Sequence, residues 1–149
     1  MTDHDRCSPG GIGYCLATSL HERGWRVFAT ARSADALSAL SEKGVETISL
    51  EVTSEESVQS CLAHVEKATA GKGLDMLINN AGINYTVPAL DISIDEVRKV
   101  FETNVFAVML ICQKFAPLLI EAKGTIVMTG SLAGVIPYVF GGKLMLQMS

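Results

Sequence analysis

The sequence predicts an α/β fold built on a doubly wound parallel sheet, part of which is absent. Four short apolar runs, WRVFATA (25–31), VETISLEV (45–52), LDMLINN (74–80) and GTIVMTG (124–130), alternate with stretches of helical periodicity. A glycine-rich string, SPGGIG (8–13), stands directly before the first helical stretch. The last two apolar runs exit into polar turns, one at NNAG (79–82) and one at Ser131. Short apolar strands joined through amphipathic helices imply a parallel sheet covered on both faces.

The elements follow in order. GIGYCLATSLHERG (11–24) carries Ile12, Cys15, Leu16 and Leu20 at helical spacing and ends at Gly24, a residue suited to a left-handed cap. Ser33 is placed to cap ADALSALSEKG, which ends at Gly44. Thr53 with Glu56 has the spacing of a capping box, opening a helix whose inward face carries Val58, Leu62 and Val65. Ser93 with Glu96 repeats that spacing and starts the longest helix, striped by Val97, Val100, Phe101, Val105, Val108, Cys112 and Phe115. With no repeat, low-complexity tract or linker, residues 1–149 read as a single, incomplete domain.

The incompleteness is read at the first strand. A dinucleotide-binding sheet starts with an apolar strand feeding the glycine turn, and that strand is central in the order 3-2-1-4-5-6. Before Cys7 stand only Met1, Thr2, Asp3, His4, Asp5 and Arg6, which do not make a buried strand. A central strand contributes on the order of 10 kcal/mol of apolar burial, comparable to the net stability of an ordinary domain. Weak folding and two interior edges with unpaired backbone groups are therefore expected.

Composition narrows the function classes. The 149 residues are 48% hydrophobic and 19% charged, enough apolar content for a core and too little charge for disorder. A net charge of −4 without any Lys/Arg run argues against nucleic acid and anionic membranes as partners. The longest apolar candidate, VFAVMLIC (105–112), is followed by Gln113 and Lys114, so no membrane span is expected. MTDHDR has no apolar signal region. Cys7, Cys15, Cys61 and Cys112 lack CxxC spacing and read as reduced, structural thiols of a cytoplasmic protein. His4, His21 and His64 are scattered, and no metal site is expected.

Several positions carry chemistry. Ser8, Gly10, Gly11, Ile12 and Gly13 form a turn whose glycines let backbone approach a pyrophosphate at a helix amino end. Arg32, at the end of the WRVFATA run, suits the 2′-phosphate of NADP, where an acidic residue would suit NAD. Asn79 and Asn80 can tie down a turn, while Ala81 and Gly82 leave room for a flat ligand. Asn104 is an amide on an apolar helix face and needs partners.

SPGGIG, NNAG and GTIVMTGSLAG together resemble the short-chain dehydrogenase/reductase family over residues 7–142, roughly the first half of a typical member. The turn is similar to a fungal TGCSxGGIG variant of the kind found in acyl-dihydroxyacetone-phosphate reductase-like members. Cys7 and Ser8 match that variant, and Asp5 and Arg6 replace its Thr and first Gly. The resemblance implies a Rossmann-type sheet without its first strand and C-terminal third. It also implies NADP as cofactor and hydride transfer between NADPH and the carbonyl or alcohol of a lipid-like or secondary-metabolite substrate.

By the same resemblance Ser131 would hydrogen-bond the substrate carbonyl and Asn104 would hold the proton relay. Glu51 would replace an aspartate near the adenine; a strand-end carboxylate before a helix cap is an equal reading of it. A homo-oligomer would form through the long helix, 93–116. The family's YxxxK tyrosine and lysine, the proton donor and the group that lowers its pKa, fall at Leu144 and Met148. Tyr138 and Lys143 do not reproduce the i, i+4 spacing. Impaired activity is expected, with truncation at both ends through a shortened or misread reading frame. Three readings compete: a partly represented oxidoreductase, a non-catalytic nucleotide-binding or dimerising pseudoenzyme, and a non-functional fragment.

Overall fold

The computed structural model describes residues 10–132. Ser8, Cys7, Tyr138, Lys143, Leu144 and Met148 lie outside the described residues. The chain runs α1 (Ile12–Glu22), β1 (Phe28–Ala31), α2 (Ala34–Ser41), β2 (Glu46–Ser49), α3 (Glu55–Thr69) and β3 (Met76–Asn79). A short 3-10 turn (Ala89–Asp91), α4 (Ile94–Phe101), a π-helical segment (Glu102–Phe106), α5 (Ala107–Ala122) and β4 (Thr125–Met128) follow.

Every strand expected from the apolar runs forms, and each is shorter than its run. Gly24 adopts φ +87° and closes α1, with the Gly24 N–H on the His21 carbonyl and the Trp25 N–H on the Leu20 carbonyl. The cap consumes Trp25, so β1 begins only at Phe28. Gly44 repeats the arrangement at the end of α2, and the Val45 N–H goes to the Leu40 carbonyl.

The caps differ in part from expectation. Ser33 accepts the Ala36 N–H at 3.2 Å, as its position predicts. Helix α3, however, is capped by Ser54, which accepts the Ser57 N–H at 3.2 Å. Thr53 is instead held by Glu51, whose Oε1 accepts its hydroxyl at 2.9 Å and its N–H at 3.2 Å. Ser93 is the N-cap of α4 but its side chain makes no cap bond, and Glu96 accepts from Lys99 Nζ at 2.8 Å. The expected capping boxes at Thr53/Glu56 and Ser93/Glu96 are therefore not formed.

The sheet is parallel and divided. β1 pairs with β2, Phe28 opposite Glu46 through Ala31 opposite Ser49. β3 pairs with β4, Met76 opposite Thr125 through Asn79 opposite Met128. Among the described residues no strand joins β1 to β3, so the interior edges foreseen from the sequence are both present.

Two apolar clusters hold these halves. Leu50, Val58, Cys61, Leu62, Val65, Ile111, Phe115, Leu118 and Leu119 form one, with Phe28, Ile48 and Leu77 packed against it. Ala17, Ala29, Ala31, Ala36, Leu37, Leu40 and Val45 form the other. Strand alternation sends Phe28 to the first and Ala29 and Ala31 to the second, on opposite sheet faces.

The apolar stripe expected on α1 is not buried. Ile12 is 56% exposed and Leu16 37%, Cys15 is exposed, and the residues that α1 does bury are Gly13 and Ala17. Among the described residues no strand lies between β1 and β3 to cover these side chains. The long helical run extends past 116 to Ala122 and is interrupted by the π segment. By length and composition Ile94–Ala122 could cross a membrane. Its Ile111, Phe115, Leu118 and Leu119 are committed to the protein core, and core helices pass the same test.

Candidate functional site

The carboxyl ends of β1 and β3 open on one cavity of about 310 Å³. In open α/β sheets ligands bind in the crevice at this end of the strands. Seven of the residues singled out from the sequence line it: Gly13, Arg32, Glu51, Asn79, Asn80, Ala81 and Gly82. Gly10, Gly11 and Ile12 lead into Gly13 at the start of α1 and are not in the lining. Asn104 and Ser131 are also outside it, and Ser131 is exposed just beyond β4.

The entrance to α1 is built from glycines. Gly11 is the N-cap and supplies no side-chain cap bond, so no side chain competes for the first-turn N–H groups. Gly10 has φ +88°, a conformation side chains disfavour, and open space lies where a Cβ would project.

Glu51 is less available than its position implied. Its Oε1 is engaged by Thr53, and its backbone N–H donates to Ser57 Oγ at 2.9 Å. These local bonds accord with the reading of Glu51 as a strand-end carboxylate before a helix cap, although the residue still borders the cavity.

The NNAG turn is fixed from three directions. Asn79 is buried, its Nδ2 3.4 Å from Cys112 Sγ and 3.5 Å from Met128 Sδ. Asn80 Oδ1 accepts the Thr129 hydroxyl at 3.2 Å, tying the ends of β3 and β4 together. Asn104 clasps the residue after the turn: its Oδ1 accepts the Ile83 N–H and its Nδ2 donates to the Ile83 carbonyl, both at 2.9 Å. The π segment sets Asn104 in this position. Such bulges inside α-helices recur at functional sites.

Thr129 and Ile83 were not singled out from the sequence. Thr129 had a readable signal, a hydroxyl two residues before Ser131 at a strand exit. Ile83 had none, because it participates through its backbone. The other cavity walls are mostly apolar, with Arg26, Thr30, Asp75 and Thr103 among them, and they include Cys61, whose thiol pKa is raised by burial, so it stays protonated. Cys15, Cys61 and Cys112 are free thiols. No group of three or more His, Cys, Asp or Glu among the described residues could hold a metal ion.

The short chain dehydrogenase family model matches residues 8–143. A short-chain dehydrogenase of Talaromyces islandicus is 44% identical over 137 residues, 91% of this chain and 48% of that protein. An NADPH-dependent 1-acyldihydroxyacetone phosphate reductase of Schizosaccharomyces pombe is 42% identical over 134 residues, 90% of this chain and 45% of that protein. The chain thus spans about half the length of the curated relatives it matches. Among solved structures, an alcohol dehydrogenase from the archaeon Thermococcus sibiricus, complexed with 5-hydroxy-NADP, superposes with TM-score 0.82 at 26% identity. That match covers 93% of this chain and 61% of the other.

Proposed function

We infer the function from one premise: the chain belongs to the short-chain dehydrogenase family. We propose that it forms the NADP(H) cradle of an oxidoreductase acting on a carbonyl or alcohol. The observation carrying this reading is that Gly13, Arg32, Glu51 and residues 79–82, distant in sequence, border one cavity at the strand ends.

The residues present fit a dinucleotide. The uncapped amino end of α1, with Gly10 and Gly11 before it and Ser8 alongside in sequence, offers N–H donors to a pyrophosphate. Arg32 offers a guanidinium to a 2′-phosphate, in keeping with the NADPH dependence named for one relative. Asn79, Asn80, Ala81 and Gly82 supply a rigid wall against a flat ring. A nicotinamide bound there would supply or accept the hydride. Asn104 acts as a positioning residue through Ile83, and Ser131 donates its hydroxyl to the substrate carbonyl.

Leu144 and Met148 at the YxxxK positions support impaired turnover, since neither side chain holds a transferable proton. They favour a second reading, a nucleotide-binding protein that does not turn over. A lipid-like or secondary-metabolite substrate is proposed, the lipid-like class in keeping with the acyl group in one relative's name. A cytoplasmic location is proposed with it. Exposed Ile94, Phe106 and Met109 support a homo-oligomer through the long helix.

The single tryptophan, Trp25, lines the cavity and serves as the reporter. NADPH is expected to quench it saturably and more tightly than NADH, and Arg32→Ala to lower the NADPH preference by about tenfold, ~1.4 kcal/mol. Ketone-dependent NADPH oxidation should be absent. A folded chain that binds neither nucleotide overturns the cradle; measurable turnover overturns the impairment.

A further inference from the structure

Asn79 closes β3 with a side chain that is only 9% exposed, and two sulfur atoms receive its NH2 group. Nδ2 lies 3.4 Å from Cys112 Sγ and 3.5 Å from Met128 Sδ. Two separate registers bring these residues together. Met128 stands opposite Asn79 in the parallel pairing of β3 with β4. Strand alternation puts Asn79 on the same sheet face as Leu77, which packs against the cluster holding Ile111 and Phe115 of α5. Cys112, next to Ile111 on that helix, is thereby delivered to the amide.

Chemistry fixes which way the amide points. A thioether accepts hydrogen bonds and has none to give, so the NH2 group and not the carbonyl oxygen faces Met128. The Cys112 sulfur takes the second position, and among the described residues no oxygen accepts from Nδ2. Deprived of both sulfurs, a buried NH2 would hold two unsatisfied donors, and the side chain would have to turn to find others. The neighbouring residues would feel that turn. Asn80, Ala81 and Gly82 continue the chain from Asn79 along the cavity wall. The sulfurs thus anchor the first residue of this wall to α5 and β4, while the Thr129 hydroxyl anchors the second.

We propose that Cys112 and Met128 are positioning residues: their sulfurs hold the Asn79 amide in one orientation and so fix where the 79–82 wall stands. Neither sulfur needs to touch a ligand, and neither residue lines the cavity. The consequence for nucleotide binding rests on the cofactor reading; the grip on the amide does not.

The test uses the full 149-residue chain and compares Cys112→Ser with Cys112→Ala, each combined with Met128→Leu. Serine and alanine differ by one acceptor at nearly the same size, and leucine keeps the apolar volume of methionine without its sulfur. Solvent exchange of the Asn79 NH2 protons, followed by nuclear magnetic resonance without nucleotide, reads the grip. In the wild-type chain this exchange should be slower than that of the exposed Asn84 side chain. It should become about tenfold faster in Cys112→Ala/Met128→Leu and stay within about threefold of wild type in Cys112→Ser/Met128→Leu. NADPH affinity, read by Trp25 quenching, should fall about threefold to tenfold in the alanine pair and recover with serine. The preference for NADPH over NADH should not move, because Arg32 and not the wall sets it.

Wild-type Asn79 protons that exchange as fast as those of Asn84 overturn the proposal, as does an unchanged rate in the alanine pair. Equal acceleration in the serine and alanine pairs overturns it too, reducing the sulfurs to packing. Faster exchange with undiminished NADPH affinity overturns the positioning role. A wild-type chain that shows the slow amide yet binds no NADPH overturns the cofactor reading and supports the grip by itself.

Discussion

The two helical layers covering the sheet halves differ in both residue size and reach. On the α1–α2 side the buried residues are mostly alanines, Ala17, Ala29, Ala31 and Ala36, completed by Leu37, Leu40 and Val45. Small residues let helices lie close to the sheet, but this cluster touches only β1 and β2. On the α3–α5 side the residues are larger, and the cluster runs from Leu50 and Ile48 across α3 to Phe115, Leu118 and Leu77. Of the two clusters, only this one spans both sheet halves. A parallel sheet interrupted between two strands can thus retain its order from one face alone.

Phe115→Ala breaks the comparison most severely. Truncating this buried ring at the centre of the spanning cluster should cost about 3–5 kcal/mol in denaturant unfolding. Because the cluster joins the halves, amide exchange should accelerate in β1 and β3 together; acceleration confined to β3 and β4 would contradict the bridging role. Leu40→Ala should cost less, toward the low end of about 2–5 kcal/mol, since its small neighbours can partly close the space. Its loosening should remain in the β1–β2 half, and an equal effect on Met76–Asn79 amides would erase the distinction between the layers.

The smallest effect concerns the amino ends of β1 and β2. Arg26 Nε and Nη2 donate to the Glu46 carboxylate at 2.5 and 3.0 Å, and these bonds hold its pKa below the usual carboxylate range. The carboxyl is protonated less readily in the native state than in the unfolded one. The pair's contribution is therefore complete above the unfolded-state pKa and is lost as pH falls through the lower native value. Glu46→Gln should flatten that acid limb slightly, the pair being largely exposed to solvent. A melting-temperature profile from acid to neutral pH that keeps its slope in the variant would remove the pair from the account.

Much of this was legible in the residues. The apolar runs located the four strands of the described residues, and Gly24 and Gly44 marked the ends of α1 and α2. Strand lengths were overestimated because caps consume their ends: the Trp25 and Val45 N–H groups go back to helix carbonyls, and the Glu51 N–H is taken by Ser57. The capping box at Thr53 failed because Ser54, one residue nearer the helix, could accept the same kind of bond and Glu51 claimed Thr53. Asn104 was recognisable as an amide in need of partners. Its partner, the backbone of Ile83, carried no side-chain signature.

Periodicity, glycine placement and polar strand exits were enough to determine the α/β class, the element order and the NNAG turn, because each depends on residues near one another in the chain. Which layer bridges the divided sheet was decided only by tertiary packing. So was the meeting of Cys112 and Met128 at the Asn79 amide. Contacts between segments separated by tens of residues depend on how whole elements stack, and no local pattern encodes the space left between them.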